Sequence, residues 1–140
     1  MPAPFTPEQL EDLSLNIDEQ LDELRNSPSP YSGTKASKES KELPDRTPKQ
    51  WQAIAEVTEE EPQTFWQRFK LAAHKDLCEE GGVLHDQWQK WGDLRKESVL
   101  KSFGAILVAM GFSGNALQVL AVAVAVIVMH IGCTAICAED

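Results

Sequence analysis

The hydrophobic positions near the start of the chain recur every three or four residues and so follow the period of an α-helix. They form one apolar stripe between mostly acidic faces, and the stripe consists of Leu10, Leu13, Ile17, Leu21 and Leu24. Thr6 and Gln9 have the spacing of a capping box, Pro7 suits the first helical position, and Asn26 stands at the other end. The pattern predicts an acidic amphipathic helix within residues 1–26.

The helical pattern stops in residues 27–46. This stretch contains five Ser, three Pro and one Gly, with several Lys and almost nothing apolar to bury. Such a composition is typical of a disordered linker, because the chain cannot bury enough apolar surface to offset the entropy lost on ordering. We therefore expect the acidic helix to be tethered to the rest of the protein.

Residues 47–101 contain three shorter stripes at helical spacing. The first follows the start signal Thr47-Pro48-Lys49-Gln50, the second ends at Gly81-Gly82, and the third runs from Leu84 to Val99. The aromatic residues of the stripes are Trp51, Phe65, Trp66, Phe69, Trp88 and Trp91. The pattern predicts a small helical bundle around shared aromatic side chains, in which burial of the four Trp provides most of the stabilisation.

From Phe103 to Ala138 the sequence contains no Asp, Glu, Lys or Arg. The hydrocarbon core of a bilayer needs about 20 apolar residues in a helix, so residues 102–138 are predicted to span a membrane, followed by a short acidic tail at 139–140. Gly111 and Gly114 interrupt the run. We prefer one long, kinked helix that spans the bilayer after Gly114, and a two-helix hairpin is the alternative.

Two other interpretations of the apolar run stay open. The segment can be a buried helix of a soluble assembly, since a helix that is apolar all round suits either environment. Leu120 to Val128 also alternates Ala and Val, which would place every Val on one face of a strand. A spanning strand needs a barrel or a fibre to pair its backbone, so the helix is favoured.

The basic residues set the expected orientation. Lys90, Arg95, Lys96 and Lys101 precede the apolar run, and no basic residue follows it. The positive-inside rule therefore predicts a single-pass membrane protein with its N-terminus and bundle in the cytoplasm. The acidic N-terminus shows no signal-peptide pattern. The net charge of −9, without a basic stripe, argues against binding of nucleic acid.

Small residues recur every seven positions along the apolar run. The small residues are Ser102, Ala109, Ala116 and Ala123, and the same spacing continues into His130 and Cys137. The series Ala109, Ala116, Ala123, His130 and Cys137 is predicted to mediate self-association in the membrane. His130, Cys133 and Cys137 also share a helix face and suggest a soft-metal site, but ordinary burial of small residues explains them more simply. A disulfide between neighbouring chains through Cys133 or Cys137 is a further alternative.

A second group of metal-binding residue types brackets the Gly81-Gly82 turn. His74, Cys78 and His85 could hold zinc, but a clear fourth ligand is missing, so we expect neither a metal nor another cofactor. The sequence also lacks a phosphate-binding glycine loop, a nucleophile elbow and a zinc-protease helix motif. We therefore expect no enzymatic activity.

The sequence predicts an all-α protein: a small cytoplasmic bundle, a tethered amphipathic helix and one C-terminal transmembrane helix. We expect an adaptor or accessory subunit that binds the bilayer through its C-terminal segment and a protein partner through the acidic helix. The alternative function is a membrane-perturbing effector whose Ala/Val/Gly-rich segment oligomerises into a pore.

Overall fold

The described parts of the chain fold into six α-helices. The structure is a computed structural model, and it describes residues 5–26, 47–91, 95–131 and 136–137. The helices are α1 (Pro7–Asn26), α2 (Pro48–Thr58), α3 (Pro62–Cys78), α4 (Val83–Trp91), α5 (Lys96–Ala109) and α6 (Gly114–Ile131). No strand occurs in these ranges, so the all-α prediction is confirmed and the strand alternative for residues 120–128 is wrong. The predicted linker at 27–46 and the tail at 139–140 lie outside the described residues.

The first helix begins with the predicted capping box. The Thr6 N–H donates to Gln9 Oε1 over 2.9 Å, and the Gln9 N–H donates to Thr6 Oγ1 over 3.1 Å. These two bonds satisfy backbone donors that a helix start leaves without an intrahelical partner. The second helix also begins where the sequence indicates, at Pro48, but the Gln50 side chain points towards α1 and its Nε2 donates to Gln20 Oε1 over 2.6 Å.

The third predicted stripe forms two helices rather than one. α4 ends at Trp91 and α5 begins at Lys96, and Gln87 joins them through its side chain. Gln87 Oε1 accepts from the Arg95 N–H over 3.1 Å, while Gln87 Nε2 donates to Ser98 Oγ over 2.9 Å. α5 then continues to Ala109, so the expected boundary at residue 101 falls inside a helix.

The apolar run is a two-helix hairpin, and the preferred single long helix is wrong. α5 ends in a Schellman motif, in which the Phe112 N–H donates to the Leu107 carbonyl and the Gly111 N–H to the Val108 carbonyl, each over 3.0 Å. Gly111 has φ +106° and Gly114 has φ +62°, a backbone that ends one helix and redirects the chain. α6 consequently packs back against α5.

The core of the bundle is built around α5 and α6. α6 contacts α1, α2 and α5, whereas α5 contacts α1, α3, α4 and α6. The predicted aromatic core exists, but among the side chains that the structure describes its fully buried aromatic members are phenylalanines: Phe65, Phe69 and Phe103. Trp66 is 3% exposed, and Trp51 and Trp88 are partly buried. Phe69 and Phe103 join α3 to α5 in an edge-to-face pair with ring centroids 4.9 Å apart. Such pairs contribute about 0.5–1.5 kcal/mol beyond the area that they bury.

Candidate functional site: the apolar helix and its cover

The longest apolar helix is also the most completely covered element of the structure. Every residue from Ala121 to Val128 is buried. Eight consecutive residues exceed two helical turns, so the middle of α6 is covered on all its faces. Within the described residues, α6 is the one helix long and apolar enough to cross a membrane, judged by its 18-residue length and its composition.

A helix that is apolar all round has two favourable environments, the core of a bundle and the interior of a bilayer. Here the cover of α6 is supplied by α1, α2 and α5. The Ala and Val side chains have no polar atoms that need a hydrogen-bond partner. The backbone N–H and C=O groups are hydrogen-bonded within the α-helix itself. The same surface of α6 can therefore contact either these three helices or lipid.

The apolar stripe of α1 forms part of this cover. Leu10, Leu13 and Ile17 are buried, and Leu21 and Leu24 are partly buried and packed against the same core. α1 thus folds back onto α5 and α6. Binding of another protein by these five residues stays a prediction, and a partner can reach the stripe only if α1 leaves α6.

Two ion pairs at the surface join α1 to the bundle. Lys49 Nζ lies 2.7 Å from Glu23 Oε1, and Lys96 Nζ lies 2.6 Å from Asp18 Oδ1. These side chains are about one-third to three-quarters exposed, so each pair contributes about 0.2–1 kcal/mol at most. The apolar contacts therefore dominate the binding of α1, and the ion pairs add a small contribution.

The cover is incomplete over the first half of α6. A cavity of about 260 Å³ lies between α1, α2 and α6, and the polar residues that line it are Asn16, Gln20, Asn115 and Gln118. Val119 beside it is 37% exposed. Local spacing in the sequence does not reveal this group, because the four amides come from distant parts of the chain.

The seven-residue series does not form one exposed face. Ala109 is exposed, Ala116, His130 and Cys137 are partly buried, and Ala123 is buried inside the bundle. Cys133 lies outside the described residues. Self-association through the whole series stays a prediction, and it requires α6 to leave the bundle.

A disulfide joins Cys78, the last residue of α3, to Cys137. Their Cα atoms are 5.8 Å apart, within the usual range for a disulfide. Cys137 is thereby engaged within its own chain, whereas the interchain alternative needs its thiol free. The sequence does not reveal this pair, because the cysteines are 59 residues apart and no local spacing connects them.

The zinc candidates are not brought together as a ligand set. The sulfur of Cys78 is in the disulfide, and His74 Nδ1 lies 3.2 Å from Glu79 Oε2. His85 is on α4 and is partly buried. Among the described residues, no group of three or more His, Cys, Asp and Glu side chains is placed to hold a metal ion.

A scan of protein-family models finds no matching family, and searches of curated proteins and of solved structures find no significant match. No activity or partner can therefore be carried over from a relative.

Proposed function

We propose that this protein is a membrane-associated adaptor and that the bundle described above is its closed form. In the proposed open form, α6 is the single membrane-spanning helix and the rest of the chain stays on the cytoplasmic side. The observation that carries the proposal is the complete burial of Ala121 to Val128 in a helix that is also long enough to span a bilayer. Lipid then takes the place of α1, α2 and α5.

The adaptor role follows from what this exchange does to α1. When α6 enters the bilayer, the stripe of Leu10, Leu13 and Ile17 loses most of the surface that now covers it. An amphipathic helix with a free apolar face is suited to an apolar groove of another protein. In this proposal the membrane and the protein partner are coupled, because the closed form hides both binding surfaces at once.

Liposome flotation with a pair of charge variants tests the membrane step. Val119→Asp places a carboxylate at a position that is 37% exposed and borders the amide-lined cavity, so we expect the bundle to keep its fold. In a bilayer the same carboxylate costs about 2–3 kcal/mol, because Val119 lies within the spanning helix. We expect wild-type protein, reduced with dithiothreitol, to float with phosphatidylcholine–phosphatidylglycerol liposomes and to resist alkaline carbonate. Val119→Asp should lower the bound fraction at least tenfold.

The matched control is Leu15→Asp, which adds the same charge at an exposed position of α1 outside the spanning helix. It should float like the wild type. Retention of reduced wild-type protein in the dense fractions, or equal loss of flotation in both variants, would contradict the proposed membrane insertion. Circular dichroism of the variants without lipid verifies that both keep the closed bundle.

A pore-forming effector is the second candidate. The α5–α6 hairpin favours it, because Ala105, Val108 and Ala109 expose apolar surface beside the spanning helix. Small residues allow close approach of helices in lipid. Dye release from the same liposomes separates the two functions: a pore releases trapped dye at the protein concentrations that float, whereas an adaptor binds without release.

A further inference from the structure

The disulfide between Cys78 and Cys137 links two points that an open form must place on opposite sides of a membrane. Cys137 follows α6, and α5 precedes α6. The 18 residues of α6 extend about 27 Å, so the two ends of a spanning α6 face different aqueous phases. Cys78 belongs to α3, which packs against α5. Because α5 precedes α6, Cys78 would stay on the side of the membrane from which α6 enters.

We propose that the Cys78–Cys137 bond is a redox latch that holds the protein in its closed form. With the bond intact, Cys137 can cross the bilayer only together with the end of α3. That end carries charged residues, among them Lys75, Asp76 and Glu79, and moving such side chains through hydrocarbon is costly. Oxidised protein therefore keeps α6 in the bundle, and reduced protein can release it.

The latch is accessible to chemistry from solution. Cys78 and Cys137 are both partly exposed, unlike the fully buried core around them. Cys137 Sγ also lies 3.6 Å from the Leu77 carbonyl oxygen, so the thiol formed on reduction has a weak acceptor near at hand. Disulfides in a reducing cytoplasm are mostly transient, which fits a switch better than a permanent cross-link if the bundle is cytoplasmic.

The reaction is thiol–disulfide exchange with a dithiol reductant. One thiolate of the reductant attacks a latch sulfur, the Cys78–Cys137 bond breaks, and the other latch sulfur leaves as a thiolate and takes up a proton. The second thiol of the reductant then attacks the mixed disulfide, gives its proton to the second latch sulfur and closes the reductant as its own disulfide. Two electrons pass to the latch, and two thiols result.

The inference rests on the proposed membrane function for its consequence, but the latch itself is measurable without lipid. The first measurement is hydrogen exchange of residues 121–128 in oxidised and in reduced wild-type protein. The bond closes a long loop and so restricts the unfolded chain, and we expect reduction to speed this exchange on the order of 100-fold. Non-reduced peptide mapping should recover the Cys78–Cys137 cross-link in the oxidised sample alone.

The second measurement is flotation with the phosphatidylcholine–phosphatidylglycerol liposomes. Wild-type protein oxidised with oxidised glutathione should stay in the dense fractions, and reduced wild-type protein should float. Cys78→Ser/Cys137→Ser, which cannot form the bond, should float under oxidising and reducing conditions alike. Cys133→Ser, which retains the latch cysteines, should behave like the wild type.

The outcomes separate the two proposals. Equal exchange in oxidised and reduced protein, or no Cys78–Cys137 cross-link, overturns the latch. If both forms float equally although the cross-link is present, the latch does not control insertion and is likewise overturned. If neither form floats while reduction still speeds exchange, the membrane function fails and the latch stands as a redox control of bundle stability.

Discussion

At the scale of single residues, the stripe of α1 separates buried from exposed positions within one turn. Ile17 is fully buried, whereas Leu15, two residues before it, is 58% exposed. Both were apolar in the sequence, but only Ile17 follows the three- and four-residue spacing. The period therefore identifies the side of α1 that contacts the bundle, although it does not identify the helix on the other side of that contact.

This difference gives a stability prediction. Ile17→Ala should lower the free energy of unfolding by about 2–5 kcal/mol, because it leaves a cavity under α1. Leu15→Ala is the matched control and should change it by less than about 0.5 kcal/mol. Urea denaturation followed by circular dichroism measures both. Equal effects of the two substitutions would show that α1 does not pack on its stripe in solution.

The capping box gives a second prediction at this scale. Thr6→Ala removes the Oγ1 acceptor of the Gln9 N–H and should cost about 1 kcal/mol of unfolding free energy. Thr6→Ser retains an acceptor at the same place and should restore most of that loss. If Thr6→Ala and Thr6→Ser are indistinguishable from the wild type by urea denaturation, the box does not contribute to the start of α1.

At the scale of helices and turns, the sequence indicated where most helices begin but not how consecutive helices are oriented. Pro7, Pro48 and Pro62 begin helices, as expected for residues that lack a backbone N–H. The turn at Gly111 was visible as an interruption, yet a kink and a reversal have the same local composition. Positive φ at Gly111 and contacts between distant helices decide between them, and neither is readable from local spacing.

The hairpin turn should be sensitive to a side chain at Gly111. Nothing lies within 4 Å of a Cβ placed there, so only the φ of +106° opposes substitution. Gly111→Ala should lower the free energy of unfolding by about 1–3 kcal/mol. Val108→Ala, at a half-exposed position in the last turn of α5, retains the backbone of the turn and should change it by less than about 0.5 kcal/mol. A neutral Gly111→Ala in thermal and urea unfolding would favour the long kinked helix instead.

The ion pairs that join α1 to the bundle predict a dependence on salt. Asp18→Asn combined with Glu23→Gln removes both contacts to Lys96 and Lys49 and should lower the free energy of unfolding by about 0.5–1 kcal/mol. The loss should shrink in 1 M NaCl, where the Debye length is about 3 Å. Glu11→Gln with Asp12→Asn removes the same charge from exposed positions of α1. An equal loss in this control would assign the effect to overall charge.

At the scale of the whole molecule, the main difference from the sequence-based expectation is that the predicted units pack against one another. The acidic helix, the bundle and the apolar run were expected as three separate units, but α6 packs against α1, α2 and α5. By length and composition α6 is a candidate spanning helix. These two properties do not choose between lipid and protein as its surroundings, because both remove the same side chains from water.

The central claim is that α6 can exchange the cover of α1 for lipid. Hydrogen exchange of α1 and α6 in reduced wild-type protein, measured with and without phosphatidylcholine–phosphatidylglycerol liposomes, tests it most directly. Addition of liposomes should speed exchange of α1 at least about tenfold, because an isolated helix of its length is marginal in water, while residues 121–128 stay protected by the bilayer. Unchanged protection of α1 in the presence of liposomes would contradict the account and assign α6 to the bundle core alone.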